Sequence, residues 1–296
     1  MTNTLTRFAL LAAVSTVALA SCNMTPVPEA PTGRVAYGLD ATGNLATFGL
    51  SNAGASYSTR AVTGLSAGET LVDLDFWNVD NALYGLSSNG TLYKIDPATG
   101  ALTKDYVGPT LGTPTAMDFN PVARRLRVFN STDDNFRTTP LGSSAAAGTT
   151  ADGKLVYGPT DVKTGSNPAL TAAAYTNTFA SAPVTGDTTA LYSIDAGTDT
   201  LVMHTSATGP GTTMGNFSVL NTVGNLNEDA ISGATGFDIV GANEAYISIN
   251  SGTTTTLYSI NLTTGATTQT AKFTGSLKTF AVSLPARPAA PVPLSK

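Results

Sequence analysis

The chain of 296 residues is short of charge and holds one cysteine, one histidine and one tryptophan. Charged residues make up 12% of it, where an ordinary domain has roughly 25%. Thr, Ser, Gly, Ala and Asn supply most of the polar surface, a composition that disfavours surface helices and favours sheets. With a net charge of -5, no basic face is available to replace phosphate counterions, so nucleic acid is not an expected partner. Arg124, Arg125 and Arg127 form the one local positive cluster. The lone His204 permits a Ser-His-Asp triad only as its base, and no G-x-S-x-G elbow precedes a nucleophile. The sequence also lacks H-E-x-x-H, a cysteine pair and EF-hand spacing, which disfavours closed zinc sites and loop calcium sites. No cofactor is expected, and an enzymatic role is disfavoured.

What is present begins at the N-terminus. Arg7 precedes an apolar run from Phe8 to Ala20, too short to remain in a bilayer as a spanning helix. The run ends in Leu19-Ala20-Ser21-Cys22, which resembles the bacterial lipobox. Residues 1–21 therefore read as a signal peptide and Cys22 as a lipid-accepting thiol, which also explains a cysteine without a disulfide partner. Asn23 is not acidic, so the expected destination is the outer membrane or cell surface, with the periplasmic face as the alternative. Prolines make 22–32 an extended tether, and 286–296 has the same character at the other end. Residues 33–285 between them are long enough for one large β domain.

Repeats organise that domain. TLYKIDPATGALT from Thr91, ALYSIDAGTDTLV from Ala190 and TLYSINLTTGATT from Thr256 each read as a strand, a turn and a returning strand. Upstream lie VAYGL at Val35, ALYGL at Ala82, LRVFN at Leu126 and EAYIS at Glu244, which read as innermost or first strands. A further kind recurs five times, as LVDLDFW, TAMDFNP, LTAAAYT, TGFDIVG and KTFAVSL. Four short strands in each of five units predict an all-β fold, a β-propeller of five four-stranded blades. Six blades is the alternative, because alternation blurs between Ser131 and Asn167.

The run GETLVDLDFWNVDNALYGLSSNGTLYKIDPATGALT from Gly68, with MDFNPVARRLRVFN, AAAYTN, LNTVGNL and TGFDIVG in order after it, resembles the domain of unknown function 4394 family. The resemblance implies an exported, propeller-like bacterial protein and no particular reaction. This chain departs from the family pattern after LRVFN, where NFRTTPLGS replaces a more regular turn.

Three sets of side chains are candidates for function. Asp75, Asp118 and Asp238 occupy matching points of three units and converge if the units form a ring. They can hold a cation or, more economically, bond backbone amides in the turn and hold neighbouring strands. Asp118, Asn120, Arg125, Arg127 and Arg137 make the most ligand-like patch, suited to carboxylate or sulfate groups, unless the arginines pair with Asp133, Asp134 or Asp152. His204 with Met203 and Met214 could suit copper, although Met203 and His204 face opposite sides of a strand. The expectation is a lipid-anchored, non-enzymatic envelope protein that binds an envelope protein, a surface-layer component or a wall polysaccharide. The alternative is an exported metal-dependent redox protein or enzyme, with copper as its metal.

Overall fold

The structure is a computed structural model that describes residues 27–107, 111–208 and 215–289. Strands β1 (Val35–Asp40), β2 (Leu45–Gly49) and β3 (Ser58–Arg60) open the first blade, with the single-turn α1 (Ala53–Ser56) between the last two. Blade two is β4 (Leu71–Trp77), β5 (Ala82–Ser87), β6 (Thr91–Ile95) and β7 (Leu102–Val107). Blade three is β8 (Pro114–Asn120), β9 (Arg125–Asn130), β10 (Asp134–Thr138) and β11 (Thr149–Lys154). The short β12 (Val156–Tyr157) then crosses to the outer edge of blade four, which contains β13 (Leu170–Tyr175), β14 (Leu191–Asp195), β15 (Thr200–Thr205) and β16 (Val219–Asn225). Blade five is β17 (Thr235–Val240), β18 (Glu244–Ser251), β19 (Thr254–Ile260) and β20 (Thr267–Thr274). The last strand, β21 (Leu277–Val282), pairs with β1 and completes the first blade. Five antiparallel sheets of four strands, one enlarged by the parallel β12, make the five-bladed propeller that the repeats predict.

Local chemistry sets the hairpins. In the DPATG turn Asp96 accepts from the Ala98 amide at 2.9 Å and from the Thr99 hydroxyl at 2.7 Å, the side-chain turn that Asp favours. Gly100 closes it at φ +77°, where an added Cβ would lie 2.4 Å from the Ala61 carbonyl. The stretch from Ser131 to Asn167 resolves into β10, β11 and β12, so it is a regular outer hairpin followed by a crossover.

The order of strands differs from the sequence reading in one respect. The innermost strands are β4, β8, β13, β17 and β21, the LVDLDFW kind, whereas VAYGL and its equivalents run second. Inner strands are covered on both faces, as in β13 and β17, where every residue is buried. Small residues such as Ala172, Ala174 and Gly236 belong there because five strands converge on one axis. Alternation alone does not distinguish a first strand from a second, since both are buried β-formers.

The core is divided into five clusters, each between two adjacent blades. Between blades two and three Trp77 stacks on Phe119 with centroids 5.5 Å apart, and Tyr84 meets both edge-on. Stability therefore lies between sheets, where apolar area leaves water.

Candidate functional site

The axis of the ring is acidic. Asp75, Asp118 and Asp238 sit at equivalent positions of β4, β8 and β17, and their carboxylate oxygens lie within 4.8 Å of one another. The remaining two places at that level belong to Ala174 and Ala281. Each carboxyl accepts an amide of the next inner strand: Asp75 from Phe119 at 2.7 Å, Asp118 from Tyr175 at 2.9 Å and Asp238 from Val282 at 2.6 Å. The partner is thus the next blade and not a local turn. A fourth member, Asp73, accepts from the Met117 amide at 2.8 Å and from the Thr279 hydroxyl.

An inner strand presents one edge of unpaired amides to the axis, and these carboxyls satisfy them. Among the described residues none of the four acids takes part in an ion pair. Burial pushes Asp73 up to about 6 and Asp238 up to about 7. Asp75 and Asp118 are held well above the ordinary carboxylate range, by burial first and by the neighbouring carboxylates next. Chemically, the cluster can share protons or, once ionised, hold one hard divalent cation.

The arginine patch forms a cleft of about 260 Å³ at the far end of β8, lined by Asn120, Arg125, Arg127, Arg137, Tyr175 and Phe217 among others. Four of the five expected residues come together there. Asp118 does not line the cleft; it belongs to the axial cluster, one alternation further along β8. Arg127 is buried and committed: its Nε donates to the Tyr175 hydroxyl at 2.7 Å, and its terminal nitrogens reach Asp152 at 3.1 Å and the carbonyls of Asn216 and Gly215 at 3.0 and 2.8 Å. Arg137 forks onto the same Asp152. Asp152 is therefore the counter-ion, one of the three that the sequence offered. Among the described residues Arg125 donates to the Ala146 carbonyl, at 3.1 Å, and it is partly exposed. Arg127 and Arg137 share the Asp152 carboxylate while Arg125 stands beside them on the Ala146 carbonyl, which gathers positive charge at the cleft, and Phe217 lies 5.3 Å from the Arg127 guanidinium.

The copper reading of His204 meets a geometric obstacle. Its Nδ1 donates to the Phe217 carbonyl at 2.9 Å, and its Nε2 accepts from the Ser193 hydroxyl at 2.8 Å. Neither ring nitrogen has a lone pair left for an ion. Burial lowers its pKa to about 3, so the ring is neutral, and it stacks on Phe129. Met203 alternates to the other face of β15, and Met214 lies outside the described residues, as do Cys22 and the signal segment 1–21.

Asp73, Tyr175 and Phe217 were not singled out from sequence. The equivalents of Asp73 in the other inner strands are Ala116, Ala172, Gly236 and Thr279, so no repeat marks it.

A family model described as "Domain of unknown function (DUF4394)" matches residues 44–282. No curated protein matches the chain. Among solved structures, a nidogen/laminin complex is 10% identical with a TM-score of 0.47, over 86% of this chain and 99% of that one. A structural genomics protein of unknown function from Bacteroides thetaiotaomicron is 13% identical with a TM-score of 0.46, over 79% of this chain and 54% of that one. Kuenenia stuttgartiensis hydrazine synthase is 11% identical with a TM-score of 0.39, over 73% of this chain and 51% of that one.

Proposed function

Because the chain belongs to the family with domain of unknown function 4394, whose name assigns no reaction, we propose a function from its own side chains: a non-enzymatic, envelope-anchored binding propeller. Its arginine cleft takes carboxylate or sulfate groups of a wall or surface polysaccharide. The observation that carries this reading is the convergence of Arg125, Arg127 and Arg137 on one cleft with Asp152 as their counter-charge. Arg127 and Arg137 spend their donors within the fold and supply fixed positive charge behind the cleft, while Arg125 at its mouth supplies the donor for a ligand oxygen. Charges fixed before binding lose little entropy when the ligand arrives.

Binding of polygalacturonate and dextran sulfate oligosaccharides to the full chain tests it. The expected result is salt-sensitive binding that weakens at least fivefold in Arg125→Ala; no binding, or binding unchanged in that variant, overturns the cleft as the site. Anchorage at Cys22 is tested separately by metabolic labelling with a palmitate analogue. Label should enter the wild type and not Cys22→Ser.

A second reading uses the axial carboxylates as a cation site, favoured by their mutual approach within 4.8 Å. It expects calcium or manganese to raise the melting temperature of the wild type and not of Asp118→Asn. A melting temperature indifferent to both ions removes it.

A further inference from the structure

Four of the five inner strands carry a β-bulge at the same level. Pairing skips Val72 in β4, Thr115 in β8, Thr171 in β13 and Lys278 in β21, each left without a partner on the second strand. The fifth, β17, runs through that level in regular register. An extra residue in one strand re-aims its side chain, and bulges recur where a sheet borders a functional site. Here all four bulged residues line a single cavity of about 260 Å³ on the propeller axis. Where β17 has no bulge, the turn before it supplies Ser232 and Gly233, and the Gly233 amide donates to Thr171 Oγ1 at 3.0 Å. This funnel opens at the Pro114 end of β8, whereas the arginine cleft adjoins Asn120 at the other end.

We infer that the axial funnel is a second binding site, for a small uncharged polyhydroxylated ligand such as the terminal sugar of a neutral glycan. Its wall offers hydroxyls on Thr115, Thr171, Ser232 and Thr279, groups that both donate and accept and so match ligand hydroxyls. Thr115 Oγ1 is buried without a hydrogen-bond partner among the described residues. The two charged groups, Lys278 and Asp73, are of opposite sign, which leaves no surplus charge for an ionic ligand. Leu71, Val72 and Pro114 provide an apolar flank for a C–H face. The volume is below the roughly 300–1,000 Å³ of drug-sized pockets, so the ligand is small. The site is independent of the arginine cleft in residues, charge and end of the molecule.

Saturation-transfer NMR and titration of the full chain with glucose, galactose, mannose and N-acetylglucosamine test the inference. At least one of these sugars should bind. Val72→Phe, which fills the funnel from a partly exposed position, should weaken that sugar at least fivefold, and Arg125→Ala should leave it unchanged. If Val72→Phe fails to fold, Lys278→Met at the rim should weaken binding at least threefold at an unchanged melting temperature. The inference is overturned if none of the four sugars binds, if the folded funnel variant loses less than the stated factor, or if Arg125→Ala removes binding.

Discussion

Asp73 and Asp238 hold their protons in the folded ring up to about pH 6 and about pH 7, because burial disfavours their charge more than the amide bonds favour it. Unfolded, both ionise near 3.8. Between those limits the folded state binds more protons than the unfolded one, so stability falls as pH rises from about 4 through 7. We expect the melting temperature to be higher at pH 5 than at pH 8. Asp238→Asn keeps an acceptor for the Val282 amide and removes one titration, so its loss over that window should be smaller by on the order of 2 kcal/mol. A variant profile parallel to the wild type would show that Asp238 does not titrate there. Arg127 has the opposite character, a charge fully used by the fold. Arg127→Met removes the donor to the Gly215 carbonyl and the Tyr175 hydroxyl, one of two donors to the Asn216 carbonyl and a buried ion pair with Asp152, and should cost about 3 kcal/mol in urea unfolding. Arg125→Ala should stay within about 0.5 kcal/mol.

Blades touch through backbone as well as side chains. In β16 an added Cβ on Gly224 would lie 2.0 Å from the Thr264 carbonyl, in the turn between β19 and β20. Both partners are main chain and cannot swing aside, so Gly224→Ala should destabilise by about 2 kcal/mol or more, seen as a lower urea midpoint. The hairpins that make this contact were legible in the sequence, because TLYKIDPATG and its relatives repeat the turn chemistry that builds them. Blade number was legible for the same reason. Which strand is innermost was not: that position is defined by neighbours in other blades, and a buried first strand has the same composition as a buried second one. The arginine patch was legible because three of its members come from β9 and β10. Its remaining parts were hidden by distance along the chain, since Tyr175 and Asn216 stand 48 and 89 residues beyond Arg127. The bulges leave no trace in composition, because Val, Thr and Lys at that level are ordinary strand residues.

At the scale of the molecule, one strand decides whether the ring exists. β21 packs between β17 and β4 while pairing with β1, so its removal opens two blade interfaces and exposes the inner edge of blade one. A chain ending before Leu277 should lose its cooperative thermal transition and bind a dye for exposed apolar surface; a sharp transition would mean that four blades suffice. The first and last strands meet at the end of the ring that carries the arginine cleft, since β1 starts beside Val282, and beyond β21 Arg287 pairs with Asp187 in the loop after β13. The late arrival of β21 also sets an order of events. A chain delivered from its N-terminus presents blade one without its inner strand until almost everything else has emerged. The ring therefore cannot close until the last strand is available, and the first blade stays open to its inner edge until then.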